Sequence, residues 1–189
     1  MADNPEWKSN DPESVANQVA YHAILEDIKQ RMDPDSNTVL LVDDERSIRR
    51  RVARDIQAVD KNVVVYEAEN GQEALAKLAE IRQKHRRDPV FIVLDLNMPV
   101  MTGWEVIEAL REEYEKAGKP AGIPIIVLSS TSGDKGSLPF FRKSVHSGKM
   151  GYSPLVTIAK EACINAAKYD AQGEKGLMAW MKFFVKAGS

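Results

Sequence analysis

Val39-Leu40-Leu41-Val42-Asp43-Asp44-Glu45 decides the reading of this chain. Four consecutive aliphatic residues with no polar alternation suit a strand buried on both faces, and such strands belong to parallel sheets covered by helices. Two more runs of this kind follow, Val90-Phe91-Ile92-Val93-Leu94 and Ile125-Ile126-Val127-Leu128, and Val63-Val64-Val65-Tyr66 reads as a further strand. Helical segments separate them. Glu45–Val59 carries Ile48, Val52 and Ile56 at four-residue spacing, Gln72–Lys84 follows Asn70-Gly71, and Trp104–Lys116 stops near Gly118. This alternation predicts an α/β fold, a doubly wound parallel sheet with helices on both faces.

The carboxyl ends of those strands carry the chemistry. Asp43-Asp44 follows the first strand, Asp95 the third and Ser129 the fourth. Open α/β sheets bind ligands outside the carboxyl ends of their strands, at a topological switch point. In the strand order 2-1-3-4-5 the first and third strands are neighbours, so Asp43, Asp44 and Asp95 share one crevice. Three carboxylates so close raise one another's pKa values, and a divalent cation resolves the conflict. Mg2+ takes oxygen ligands, typically one or two carboxylates plus phosphate oxygens and water. A carboxylate beside Mg2+ can attack an in-line phosphoryl group, in a reaction governed by positioning and electrostatics. A lysine and a hydroxyl are expected to complete such a site.

Val42-Asp43-Asp44-Glu45 before an Arg-rich helix, Asp95-Leu96-Asn97-Met98-Pro99 with Gly103 beyond, and Pro124-Ile125-Ile126-Val127-Leu128-Ser129-Ser130 together resemble the receiver domain of two-component response regulators. The resemblance covers about Thr38 to Ser130 with its motifs and continues to Phe184. It implies a flavodoxin-like fold of five parallel strands whose aspartate takes a phosphoryl group from a histidine kinase or histidine phosphotransfer protein. By position, Asp95 would be the phosphoacceptor. Asp44 would bind Mg2+ directly, Asp43 directly or through water, and Asn97 through its backbone carbonyl. Ser129 would supply the hydroxyl for the phosphoryl oxygen, Ser130 is small enough to leave the acceptor accessible, and Pro99 and Gly103 would shape the loop after it.

The family's lysine closes the fifth strand, and three residues compete for the role. Lys182 ends Leu177–Met181 and follows an alanine-rich segment and Gly173-Glu174-Lys175-Gly176, Lys160 would end a strand Leu155–Ala159, and Lys149 sits among glycines. Lys182 is preferred, because Ser153-Pro154 reads as a helix start and opens an alanine-rich helix through about Ala171. That choice requires an insertion after the fourth strand, at about residues 131–152. It also leaves too little chain for a final helix. The amphipathic N-terminal helix, about residues 12–32 with Tyr21, Ile24, Leu25, Ile28 and Met32, is therefore expected to cover the vacant sheet face, in this chain or from a second copy in a homodimer. The division is an N-terminal extension over residues 1–37 and a receiver domain over 38–189.

Composition narrows the classes. The 189 residues are 43% apolar and 29% charged with a formal net charge of −2, which suits a folded domain and not a disordered one. No apolar run approaches the ~20 residues of a membrane helix, and the N-terminus lacks a signal-peptide pattern. The single cysteine, Cys163, excludes an internal disulfide and suits a reducing cytoplasm; its place in the alanine-rich helix suggests packing. Arg46, Arg49, Arg50, Arg51 and Arg54 are expected to be spread over several faces of a helix as solvated charge with local ion pairs. As no residue is given after 189 and the first 37 are too few for a DNA-binding domain, direct nucleic-acid contact is not expected, and the expected output is contact with a downstream protein or a domain outside this sequence. His22, His85 and His146 have no metal-ligand spacing. Thr102 is placed to cap the helix starting near Gly103. Trp180, two residues before Lys182, reads as core. The function expected is a signalling switch and not an enzyme. The rivals are a phosphorylation-independent scaffold and, further off, a Mg2+-dependent phosphohydrolase of the haloacid-dehalogenase type, against which Asp95-Leu96-Asn97 lacks the second carboxylate.

Overall fold

The computed structural model describes residues 30–33, 37–59, 61–119, 122–129 and 155–160. Their elements run β1 (Asn37–Val42), α1 (Arg46–Val59), β2 (Val63–Ala68), α2 (Gly71–His85), β3 (Phe91–Asp95), α3 (Gly103–Lys116), β4 (Ile125–Ser129) and β5 (Leu155–Ala159). The strands form one sheet in the order β2-β1-β3-β4-β5, every neighbouring pair parallel. The chain reverses its direction of travel between β1 and β3, which makes their carboxyl ends the switch point.

Alternation along each strand sorts the core into two layers. Val39 and Leu41 of β1, Phe91 and Val93 of β3, and Ile126 and Leu128 of β4 share one face with Ile48, Val52 and Ile56 of α1. Leu40, Val42, Ile92, Leu94, Ile125 and Val127 take the other with α2 and α3, through Leu78, Ile81, Val106, Ile107 and Leu110. All six residues of β1 are buried, the apolar run Val39–Val42 together with Asn37 and Thr38, whereas β2, at the sheet edge, exposes Val64. The helices start where the sequence supplies partners for their first N–H groups. The Asn70 side chain accepts from Glu73 N–H at 2.9 Å to open α2. Thr102 and Glu105 form a reciprocal capping box at α3, with Thr102 N–H donating to Glu105 Oε2 at 2.7 Å.

The fifth strand departs from the sequence expectation. Residues 155–159 are a strand paired with β4, Ile125 opposite Leu155 and Ser129 opposite Ala159, and not the first turn of a helix. Val156-Thr157-Ile158 explains the outcome. Three successive β-branched residues lose side-chain freedom in a helix and fit a pleated surface, and the open edge of β4 supplies their hydrogen-bond partners. The Ser153-Pro154 signal, a local preference, gave way to pairing. β5, the last strand among the described residues, ends at Ala159, so the shortage of chain implied by Lys182 does not arise. Lys182, Lys149, Trp180, Cys163, the segment 131–152 and the apolar positions Tyr21, Ile24, Leu25 and Ile28 lie outside the described residues.

The end of the leader is tied to the domain. Met32 packs against the layer beneath α1, Arg31 donates to the Gly122 carbonyl at 2.9 Å, and Asp33 pairs with Arg87 at 3.0 Å.

Candidate functional site

The register sets the site. Val42 of β1 lies opposite Leu94 of β3, so Asp43 and Asp95, each the next residue along, emerge side by side. Asp95 lies opposite Leu128, and Ser129 opposite Ala159, which places Ser129 and Lys160 at the same rim of the sheet. Carboxylate oxygens of Asp43, Asp44 and Asp95 all lie within 4.8 Å of one another. Asp43 and Asp95 are buried and Asp44 is exposed.

Lys160 closes this cluster. Its ammonium donates to Asp95 Oδ2 at 2.8 Å, lies 3.0 Å from Asp43 Oδ2 and reaches Glu45 Oε1 at 3.4 Å. Among the described residues the lysine beside the Asp95 carboxylate is Lys160, one of the three candidates and not the preferred Lys182, because β5 ends immediately before it. Asn97 N–H donates to Asp95 Oδ1 at 3.2 Å, and Glu45 N–H donates to Asp43 Oδ1 at 2.9 Å. Ser129 ends β4.

The electrostatics are unbalanced in a particular direction. Burial raises the Asp43 pKa above the usual carboxyl range, opposed by the Lys160 ammonium and the Glu45 N–H and reinforced by the charge of Asp95. Burial is also the largest influence on Lys160 and would lower its pKa, but the hydrogen bond to Asp95 and the negative charges of Asp43 and Asp95 together outweigh it and hold the ammonium protonated well above its usual range. One ammonium faces three carboxylates. At an effective dielectric of about 20, unit charges 4 Å apart interact by about 4 kcal/mol, so the cluster favours a further cation. Asp43 Oδ2 is buried with no hydrogen-bond donor among the described residues. Lys160 Nζ is close to it but off the direction a hydrogen bond needs, so their contact is Coulombic and a lone pair remains open. A hard divalent cation, Mg2+ foremost, suits this all-oxygen donor set.

Two glycines and one arginine shape the surroundings. A Cβ on Gly103 would overlap the Asp95 carbonyl oxygen and stand 2.9 Å from Leu96 Cα; Gly103 N–H donates to the Leu96 carbonyl at 3.1 Å, which seats α3 against the loop after Asp95. A Cβ on Gly71 would meet the Met101 carbonyl oxygen at 2.8 Å, and Gly71 N–H donates to that oxygen at 2.9 Å. Between these anchors Val100 takes a positive φ of 68°, a strained state for a β-branched residue. The arginines of α1 divide. Arg46, Arg50, Arg51 and Arg54 are exposed, whereas Arg49 turns toward the site, its Nη1 2.6 Å from the Asp43 carbonyl oxygen. Sequence reasoning missed Arg49 and Gly71. Arg49 follows Ile48 on the inward side of the helix, which was the available signal.

The doubly wound sheet and its acidic rim define a signalling receiver. Residues 39–145 match the family described as the response regulator receiver domain, and the chain belongs to that family. It is 33% identical over 98 residues to the transcriptional regulatory protein YdfI of Bacillus subtilis, covering 52% of this chain and 40% of that protein. It is 32% identical over 139 residues to a protein-glutamate methylesterase/protein-glutamine glutaminase of Vibrio cholerae, covering 68% of this chain and 33% of the relative. Among solved structures, a bacteriophytochrome response regulator superposes with a TM-score of 0.51 at 20% identity, over 74% of this chain and 92% of the other, a likeness of fold. The chain thus spans less than half the length of these two curated relatives. No helix among the described residues is long and apolar enough to cross a membrane.

Proposed function

We propose that this chain accepts a phosphoryl group on Asp95 from the phosphohistidine of a histidine kinase or histidine phosphotransfer protein, and that the phosphorylated form presents an altered surface to a downstream protein. The observation that carries this reading is the Lys160 ammonium held 2.8 Å from Asp95 Oδ2, with two more carboxylates within 4.8 Å. A lone buried aspartate would need only a hydrogen bond; an aspartate flanked by a cation and a cation-seeking cluster is equipped to take on a multiply charged group.

In the step itself a carboxylate oxygen of Asp95 attacks phosphorus in line. The phosphorus–nitrogen bond breaks and its electron pair stays on the departing imidazole nitrogen. Lys160 neutralises the equatorial oxygens from one side and Ser129 offers them a hydroxyl. Asp43, Asp44, Asp95 and the Asn97 carbonyl are the residues that would hold Mg2+, which supplies counter-charge for phosphoryl oxygens when bound. Asn97 N–H keeps Asp95 oriented from the other side. The chain acts as phosphoacceptor and switch, with no turnover of an outside substrate, and the single cysteine fits a cytoplasmic setting. Phosphorylation would pull Ser129 and the segment that follows it toward the phosphoryl group and so bias a two-state surface.

Incubation with acetyl phosphate and Mg2+ tests the reading. The wild-type chain should gain the mass of one phosphoryl group and lose it in chelator-free buffer over time, and Asp95→Asn should gain none. No adduct on the wild type, or an equal adduct on Asp95→Asn, would overturn it.

A further inference from the structure

We propose that Arg49 is a positioning residue for the metal-binding carboxylates, a backbone clamp that fixes where Asp43 and Asp44 point; this rests on the metal-binding reading above. Arg49 differs from the other arginines of α1. Its side chain is 12% exposed, while Arg46, Arg50, Arg51 and Arg54 lie in solvent. Its Nη1 donates to the Asp43 carbonyl at 2.6 Å and to the Asp44 carbonyl at 3.3 Å. Its Nε donates to Glu67 Oε2 at 3.2 Å. Glu67 belongs to β2, opposite Leu41 in the register, so the guanidinium ties the turn after β1 to the neighbouring strand.

That turn has left the ladder at Val42 and must present two side chains to one point. It is held at Asp43 N–H by the Ala68 carbonyl, at 3.1 Å, and at Asp43 Oδ1 by Glu45 N–H. The two carbonyls are the remaining freedom, and Arg49 takes both. A planar guanidinium spreads its donors over separate, rigidly spaced nitrogens, so it can hold two carbonyls on one side and a carboxylate on another, a geometry that a lysine's single nitrogen does not reproduce.

Charge and position pull in opposite directions here, which makes the role testable. A guanidinium beside a cation site repels the cation, so if charge alone mattered, removing Arg49 would tighten metal binding. If position matters more, removal weakens it, by the roughly 10- to 100-fold typical of groups that orient metal ligands.

Calorimetric titration of the full chain with Mg2+ decides between them, each variant's melting midpoint in chelator being recorded alongside. Arg49→Met and Arg49→Lys should both bind Mg2+ about 10- to 100-fold more weakly than wild type. Glu67→Gln, which keeps the arginine but loosens its anchor, should weaken binding by a smaller factor and covers the case in which the Arg49 variants fail to fold. Equal or tighter binding by Arg49→Met, a shift confined to melting midpoints, or wild-type affinity in Glu67→Gln would overturn the clamp. A wild-type chain that takes up no Mg2+ would instead remove the metal-binding reading on which the clamp rests.

Discussion

Lys160 Nζ and Asp95 Oδ2 stand 2.8 Å apart across β4, joining the end of β5 to the end of β3. Both groups are buried, the lysine at 9% exposure and the aspartate at 3%. A buried pair of this kind is a poor device for stability, since packed apolar groups often serve as well. On the proposed reading its value is that a cation is already in place beside the carboxylate before any phosphoryl group arrives.

Replacing Lys160 by Met should therefore separate two effects. Mg2+ affinity should rise, because a competing positive charge has left the carboxylates. The rate of phosphorylation by acetyl phosphate should fall by about 10²- to 10³-fold, the usual effect of losing one stabilising donor. Calorimetry and intact-mass kinetics on the same preparation check both signs. A variant that transfers at the wild-type rate would remove Lys160 from the reaction.

Asp43 carries a stability cost in the absence of metal. Its pKa is raised on folding, chiefly by burial, so between the unfolded and folded values the native state binds more protons than the unfolded one. Its contribution is fully present below the unfolded pKa and is lost as pH rises through the folded value. In chelator, Asp43→Asn should melt higher than wild type at neutral pH, and the gap should close as pH falls. Mg2+ at 100 times its Kd should stabilise the wild type by about 2.7 kcal/mol and the variant far less. Denaturant melts across pH, with and without Mg2+, test the pattern.

Gly103 should tolerate no side chain. A methyl group there overlaps the Asp95 carbonyl oxygen, and the backbone of the loop after Asp95 would have to retreat. Gly103→Ala should cost about 1–3 kcal/mol, as overpacking generally does, and should move the Asp95 and Asn97 amide resonances. A destabilised variant with unmoved resonances would show that the strain is absorbed elsewhere.

Thr102→Ala supplies the contrast. It removes one half of the α3 capping box and should cost about 1 kcal/mol in denaturant midpoint. Because the cap faces solvent and touches no carboxylate of the cluster, Mg2+ affinity should hold at the wild-type value.

The site was legible wherever a strand announced its own end. Val39–Val42, Val90–Leu94 and Ile125–Leu128 are apolar on both faces, so their strand character needed no knowledge of partners, and the polar residue after each run fell at the rim by construction. Asp43, Asp44 and Asp95 therefore came together as expected. The lysine was not legible in the same way. Leu155-Val156-Thr157-Ile158-Ala159 is short, follows Ser-Pro and runs into alanines, so local helix signals competed with β-branching. The pairing with β4 that settled the matter is a tertiary contact. Arg49 was hidden for another reason. Five arginines in one helix look alike as charge, and although the place of Arg49 beside Ile48 marks it as the inward one, what it reaches depends on the direction of α1 relative to the β1 turn. Glycine 71 likewise looked like punctuation before a helix, and its contact with the Met101 carbonyl depends on how two loops meet.

The most direct measurement is to trap the phosphorylated chain with borohydride, which reduces an acyl phosphate to the corresponding alcohol, and to locate the change by peptide mass. The account predicts homoserine at position 95 alone, dependent on Mg2+. Reduction at position 43 or 44, or at no position, would contradict it.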